Sequence, residues 1–222
     1  MEETKMRVRI TLTEEMLGMA SGNPDIHREY IASRVAERSD DRLTESMMAN
    51  MTEEEIQAVI DASAEKGMTV FPRGDNGEPI MWDYQIKGFF KDACKMLRAD
   101  KKSHSAKMKA YKQNIDGRIF VDERKIPIVF DGEMGDCQRP LRAETMQGPR
   151  TALAESETVP AGSVMCFTVA TMLEEDMETV REWLNYGVRR GFGQWRNSGK
   201  GKFVWEELDE EGRVIGGNKK TA

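Results

Sequence analysis

The fold of this chain is decided by residues 163–205, which read SVMCFTVATMLEEDMETVREWLNYGVRRGFGQWRNSGKGKFVW. Residues 163–170 form a run of β-branched and apolar residues typical of a buried strand. A helical stripe of apolar residues follows, at Met177, Val180, Leu184, Gly187 and Val188. Gly191 stands where a helix C-terminal cap is expected, and residues 202–205 again have strand character. The stretch therefore predicts a strand, a helix, a glycine-rich loop and a second strand.

The rest of the chain supplies the other half of a βαββαβ core. Residues 7–12 alternate in strand fashion, and the apolar residues of 84–97 recur at helical spacing. Residues 115–130 have β character interrupted by a charged run, and 148–161 is expected to be loop-rich. We predict an α+β protein with a ferredoxin-like or RRM-like core. It is expected to be one domain, 1–222, with a helical insertion at about 23–67 and a thumb-like β-hairpin at about 113–147.

Charge is distributed unevenly along the 222 residues. The net charge is −6, which taken as an average argues against a polyanionic partner. Residues 1–66 contain 15 acidic and 8 basic side chains, however, whereas residues 87–112 contain 9 basic and 2 acidic ones. A second basic excess lies at 181–202. Such runs are often just solvated helix faces, so they indicate a binding surface only if they converge in space.

Composition also limits the class of protein. No stretch approaches the roughly 18–20 apolar residues that a membrane span needs, and the acidic start is unlike a signal peptide. We therefore expect an intracellular protein without a membrane partner. The three cysteines, Cys94, Cys137 and Cys166, match neither a disulfide framework nor a zinc site. No metal and no cofactor are expected.

The glycine-rich loop at 191–201 has the spacing GxGxxxxxGxG. It is not a Walker A loop, because position 194 is Gln194 and position 201 is Gly201. It is not a dinucleotide fingerprint either, because Arg196 stands where Gly or Ala is needed. Two interpretations stay open: a basic loop on which Trp195 stacks a base while Arg196 and Lys200 follow the backbone, or a structural turn with Trp195 in the core.

The loop resembles the glycine-rich loop of the RAMP superfamily, the RRM-like proteins of CRISPR ribonucleoproteins. Three further stretches are similar to its backbone-subunit branch, in the same order along the chain. Residues 10–22, ITLTEEMLGMASG, resemble the opening strand and its glycine turn. Residues 82–93, WDYQIKGFFKDA, resemble the element that begins the first core helix, with Asp83 and Tyr84 in place of Pro and Gly. Residues 150–153 and 157–170 resemble the approach to the third core strand.

The resemblance implies a protein that binds single-stranded RNA or DNA without cleaving it and assembles head to tail, as a homo-oligomer or within a multi-subunit ribonucleoprotein. The hairpin would correspond to the thumb that such subunits extend over a neighbour. The setting would be the cytoplasm of a bacterial or phage-infected cell, in antiviral defence or as a phage relative. The implied nucleic-acid-binding residues are Lys87, Gly88, Lys91, Lys95, Arg189, Arg190, Gly191, Gly193, Trp195, Arg196, Gly199, Lys200, Gly201 and Lys202.

Two alternatives stay open. One is a RAMP-fold endoribonuclease, for which Asp25 after the first strand and His104 in a basic segment are the candidate catalytic residues. Each has an ordinary explanation, as a helix N-cap and as a surface histidine. The other is an interaction protein whose acidic segments, 1–66 and 206–211, occupy a partner's nucleic-acid site.

Overall fold

The structure is a computed structural model that describes residues 3–21, 68–145 and 148–218. Its strands are β1 Thr4–Leu12, β2 Met16–Leu17, β3 Ala20–Ser21, β4 Thr69–Val70, β5 Ile80–Trp82, β6 Ile119–Val121, β7 Lys125–Pro127, β8 Gly135–Thr145, β9 Gly148–Val159, β10 Val164–Thr171, β11 Phe203–Leu208 and β12 Val214–Gly217. Its α-helices are α1 Asp83–Leu97, α2 His104–Lys107, α3 Tyr111–Arg118 and α4 Glu174–Arg190, and a short 3-10 helix spans Arg196–Ser198. Among the helices in these ranges, none is both long and apolar enough to cross a membrane.

The central sheet has the strand order β12-β11-β1-β10-β6, and each neighbouring pair is antiparallel. Apart from β12, the strands of this sheet and the two long helices occur along the chain in the order β1, α1, β6, β10, α4 and β11. The last core strand therefore lies beside the first, and the first beside the third. This is the split βαβ arrangement of a ferredoxin-like fold, so the predicted α+β fold class is confirmed.

Strict alternation in β1 explains why the sheet forms. Met6, Val8, Ile10 and Leu12 are buried, whereas the residues between them are exposed or half-buried. Because alternate side chains of a strand point to opposite faces, one face of the sheet is available for helix packing. Burying each such side chain stabilises the fold by about 1.5–3 kcal/mol.

The two long helices each bury one stripe. The buried positions of α1 are Ile86, Phe89, Phe90, Ala93 and Cys94. In α4, Trp183 and Leu184 are fully buried, and the Trp183 and Phe90 rings lie 5.3 Å apart between centroids. Gly191 follows the last residue of α4, as predicted, and its φ of 73° and ψ of 175° are angles that favour glycine.

The long hairpin lies later in the chain than the sequence predicted. Residues 113–147 were expected to form it, but α3 and β6 occupy the first part of that range, and β6 is the edge strand of the central sheet. The long strands that pair are β8 and β9, so the expectation of a loop at 148–161 is wrong. β9 has the alternating Thr, Ala, Glu and Ser residues of a polar strand rather than a hydrophobic run.

The described residues group into two compact units. The larger contains residues 3–17, 71–135 and 158–218, and thus the whole ferredoxin-like core. The smaller contains 18–21, 68–70, 136–145 and 148–157. Within the smaller unit, β3 pairs with β4, and the hydroxyls of Thr69 and Ser156 lie 2.7 Å apart. The sequence had predicted one domain. The helical insertion expected at 23–67 and the candidate Asp25 lie outside the described residues.

Candidate nucleic-acid interface

The glycine-rich loop is a closed and sterically constrained structure. The Phe192 amide donates to the Gly201 carbonyl at 2.9 Å, and the Gly201 amide donates to the Glu15 carbonyl at 2.8 Å. A Cβ at Gly201, where φ is +70°, would lie 2.1 Å from the Phe192 carbonyl oxygen. At Gly191, with φ +73°, a Cβ would lie 2.7 Å from the Gly201 backbone. These glycines therefore allow a close backbone approach that other residues would prevent.

Two aromatic residues of the loop have opposite placements. Phe192 is 2% exposed, and its ring lies 4.6 Å from Phe89 and 4.5 Å from Phe203 between centroids. Trp195, three residues later, is 40% exposed and has a left-handed backbone with φ 53°. The interpretation that placed Trp195 in the core is therefore wrong, and Phe192 is the residue that anchors the loop.

Asp92 of α1 joins the helix to the loop. Its Oδ2 accepts from Arg196 Nη1 at 2.7 Å and from Arg190 Nε at 3.2 Å. Arg190 also donates through Nη1 to Asn197 Oδ1 at 3.1 Å. One carboxylate thus orients two guanidinium groups 104 and 98 residues away in sequence. Because both arginines share a single negative charge, this cluster keeps a net positive charge.

Next to Asp92 on α1, the predicted lysines have an acidic neighbour of their own. Lys91 Nζ lies 2.6 Å from Asp116 Oδ1, and Lys87 Nζ donates to the Asp116 carbonyl at 3.1 Å. Burial lowers the pKa of the Lys87 ammonium below its usual 10.5, and the nearby Asp116 carboxylate acts in the opposite direction. Lys87 also lies over the Phe120 ring, 5.0 Å from its centroid.

The remaining predicted positions surround this cluster. Gly88 is exposed one helical turn before Asp92, and a Cβ there would meet nothing within 4 Å. Lys95 and Arg189 are exposed, and Lys200 pairs with Glu15. At Gly193 a Cβ would meet the Leu17 carbonyl at 2.9 Å, whereas at Gly199 the nearest atom is Lys202 Nζ at 3.4 Å. We define the glycine-loop surface as Arg190, Trp195 and Arg196 together with the α1 residues Gly88, Lys91 and Asp92.

A cavity opens on this surface beside Trp195. Its volume is about 340 Å³, and it is lined by Arg190, Gly193, Gln194, Trp195, Arg196 and Asn197. An aromatic ring, two guanidinium groups and backbone amides are the groups that hold the bases and phosphates of a single strand. The arrangement can therefore accept a planar, anionic ligand.

Sequence reasoning missed the three acidic residues that organise the cations: Glu15, Asp92 and Asp116. In the charge count Asp92 only reduced the basic excess of 87–112, Glu15 was counted in the acidic segment 1–66, and Asp116 lay in neither segment. Asp92 does stand one helical turn after Gly88, on the face that the resemblance assigns to binding, and that position was the available signal. Glu15 and Asp116 lie in other elements, so their pairing with Lys200 and Lys91 had no local signature.

His104 lies apart from the glycine-loop surface. It is exposed at the start of α2, and its backbone amide donates to Glu182 Oε1 at 2.9 Å. Glu182 precedes Arg190 by eight residues in α4, which is about 12 Å along the helix axis. His104 instead borders a second cavity of about 460 Å³, together with Lys107, Arg118 and Asp176. The structure does not bring this candidate together with the loop.

The second cavity contains a buried ion pair. Asp176 is 3% exposed, and its Oδ2 lies 3.2 Å from Arg118 Nε. Burial raises the pKa of the Asp176 carboxyl above its usual 3.8, although Arg118 opposes this shift. Within residues 3–21, 68–145 and 148–218, no group of three or more His, Cys, Asp or Glu side chains is arranged to hold a metal ion.

Comparison with known proteins gives a result for the fold alone. No protein-family model matches the chain, and no curated protein sequence matches it. A similar fold occurs in a chain of the cryo-EM structure of the Type III-B Cmr-beta bound to cognate target RNA, with a TM-score of 0.50 and 10% sequence identity. The alignment covers 94% of this chain and 61% of that chain, so this chain spans about 61% of the length of the one that it matches.

Proposed function

We propose that this protein binds single-stranded nucleic acid, in the first place RNA, on the glycine-loop surface and without cleaving it. The observation that carries the proposal is the pair Arg190 and Arg196 held by Asp92 beside the exposed Trp195. A base stacks on the indole while the guanidinium groups contact phosphates, and the constrained loop backbone keeps the three side chains in register.

The helix dipole opposes this function and has to be outweighed. The loop follows the C-terminal end of α4, where the dipole disfavours an anion by about 0.3–1 kcal/mol. Each charge-assisted hydrogen bond from a guanidinium group to a phosphate contributes about 1.5–3 kcal/mol, and base stacking contributes about 1–3 kcal/mol. Two arginines and one tryptophan therefore exceed the dipole term.

Similarity to known proteins supports RNA as the ligand and a larger assembly of which this protein is a subunit. The four sequence stretches that resemble RAMP backbone subunits occur in that family's order, and a chain with a similar fold belongs to a structure bound to target RNA. We infer that this protein is a subunit of a ribonucleoprotein, with copies or related subunits arranged head to tail. Such contacts are heterologous and extend along a strand.

Fluorescence anisotropy with a labelled single-stranded RNA and the matching DNA, over a salt series, tests the proposal. We expect Arg196→Glu and Trp195→Ala each to weaken binding at least about 5-fold. The matched control is Arg213→Glu, because Arg213 is an exposed arginine in the turn after β11, at the strand end remote from the loop.

Binding that is absent at low salt, or that is weakened equally by Arg213→Glu, would contradict the proposal. The same samples report on catalysis. RNA cleavage that His104→Ala abolishes would replace non-catalytic binding with the endoribonuclease alternative. Circular dichroism of each variant shows that the fold is retained.

A further inference from the structure

At the start of α1, three side chains form an aromatic and cationic cluster that the glycine-loop surface does not include. The rings of Trp82 and Tyr84 are stacked, with centroids 6.4 Å apart and planes 12° from parallel. The Arg124 guanidinium carbon lies 5.6 Å from the Trp82 centroid and 5.9 Å from the Tyr84 centroid. We call these three residues the Tyr84 cluster.

The backbone under the Tyr84 cluster is fixed by strand pairing. Trp82 pairs with Lys125 between β5 and β7, and the Asp83 amide donates to the Arg124 carbonyl at 3.2 Å. Arg124 Nη1 lies 2.6 and 2.9 Å from the two Asp83 carboxylate oxygens, which orients the guanidinium group. A rigid support of this kind reduces the entropy that a ligand would otherwise lose on binding.

The cluster is nevertheless open to solvent. Tyr84 is 52% exposed, and the Arg124 side chain is 68% exposed. Tyr and Arg are residues that protein surfaces use as anchors for partners. Tyr offers a large contact area at low entropic cost, and Arg offers a planar group with five donors. Exposed aromatic faces next to an arginine are also the platforms on which unstacked bases are held.

The position of Tyr84 on α1 favours nucleic acid rather than a protein as the ligand of the cluster. Tyr84, Gly88, Lys91 and Lys95 are spaced four, three and four residues apart and therefore lie on one face of the helix. This face is aromatic at its N-terminal end and basic beyond it. Tyr84 precedes Asp92, which holds Arg196 next to Trp195, by eight residues, about 12 Å along the axis. At the rise of stacked nucleotides in duplex DNA, about 3.4 Å each, this length corresponds to three or four nucleotides.

We propose that the Tyr84 cluster is a second base-stacking site, which holds a base three or four nucleotides along the strand from the one on Trp195. This inference rests on the proposed function, since it extends the same bound strand along the exposed face of α1. Gly88, where a Cβ would meet nothing within 4 Å, leaves room for the strand between the two aromatic positions.

A length series of single-stranded oligonucleotides separates the two stacking sites. We expect Tyr84→Ala to weaken binding of strands of about eight nucleotides by about 5-fold or more, with little effect on strands of about three nucleotides that reach only Trp195. Tyr84→Phe retains the ring and should bind like the unmodified protein. Tyr111→Ala is the matched control, because Tyr111 also contacts an arginine, with Arg98 Cζ 5.1 Å from its ring centroid.

Photocrosslinking with 5-iodouracil in the longer strand gives a readout that does not depend on stability. We expect crosslinks at Tyr84 or Trp82, at a nucleotide three or four positions from the one that crosslinks to Trp195. If strands bind and depend on Trp195 but Tyr84→Ala has no effect at any length, the inference is overturned while the proposed function stands. That result would leave the Tyr84 cluster to a protein partner. If no strand binds, the proposed function itself fails.

Discussion

The two ends of α4 differ in how far their charged side chains are compensated. At the N-terminal end, the cavity beside Asp176 is lined by Lys107, Lys109 and Arg118 together with Glu175, Asp176 and Glu178, so that its charges balance. At the C-terminal end, Arg190 and Arg196 share the single carboxylate of Asp92 beside the exposed Trp195. Both ends also follow the helix dipole, with acids first and bases last.

The difference lies in charge compensation: Arg190 and Arg196 share one carboxylate next to an exposed ring, whereas the single guanidinium group of Arg118 pairs with Asp176. A buried pair such as Arg118 and Asp176 stabilises the fold only to the extent that each ion compensates the desolvation of the other. Arg190 and Arg196 share one carboxylate, and each guanidinium group has five N–H donors, so donors remain for a ligand.

We expect Gly201→Ala, in the loop after α4, to lower the free energy of unfolding by more than about 3 kcal/mol. The new Cβ would combine a φ of +70° with a contact of 2.1 Å to the Phe192 carbonyl. Gly199→Ala is the control: its φ of +88° is similarly unfavourable, but the nearest atom is the flexible Lys202 Nζ at 3.4 Å. Gly199→Ala should lower the free energy of unfolding by only about 1 kcal/mol. Thermal and urea unfolding measure both, and equal costs would show that the close approach is not rigid.

Asp176→Ala should reduce the free energy of unfolding by about 2–3 kcal/mol, somewhat less than for a fully buried pair, because Arg118 keeps part of its hydration. The side chain of Arg118 is 30% exposed, against 4% for Asp176. Oligonucleotide affinity, measured well below the unfolding temperature, should be unchanged. A loss of affinity with unchanged stability would place the strand at the N-terminal end of α4 instead.

Arg190→Ala should weaken binding about 5- to 10-fold and lower the slope of log K against log salt by about one. Lys107→Ala, in α2 beside the N-terminal end of α4, should change neither quantity, although it removes the same formal charge. Anisotropy titrations over the same salt series compare the two variants. Equal slopes for both would mean that only overall charge matters.

Because Asp176 is buried at the N-terminal end of α4, we expect the free energy of unfolding to depend on pH. Burial raises the pKa of Asp176, so the folded state holds this proton more tightly than the unfolded chain does. The contribution of Asp176 to stability therefore falls as the pH rises from about 3.8 through the folded pKa. Urea unfolding across that range should show the stability of the wild type declining relative to Asp176→Asn. An increase with pH would contradict burial as the main cause.

The smallest expected effect is at Gly88. Replacement by alanine in an exposed helix interior should stabilise the protein by about 0.5–1 kcal/mol, because the added Cβ meets nothing within 4 Å. If the strand crosses this position, affinity should fall while stability rises. An unchanged affinity would show that the strand does not cross Gly88.

Local patterns in the sequence predicted most of the core. The alternation in β1, the stripes of α1 and α4 and the cap at Gly191 each depend on residues that are close in the chain, and all are present in the structure. The hairpin was misplaced because residues 119–121 have the same β character whether they pair locally or with β10. Only the partner strand distinguishes the two outcomes.

Within the candidate site, the sequence by itself determined the residue types: glycines at four positions, two aromatic residues between them and an excess of arginine and lysine. Tertiary structure decided how they are used. Phe192 became the buried anchor, packed against Phe89 and Phe203, and Trp195 became the exposed ring, on a left-handed backbone. Asp92 organises arginines about a hundred residues distant. Periodicity describes a residue and its near neighbours, whereas charge pairing depends on which elements the fold brings together.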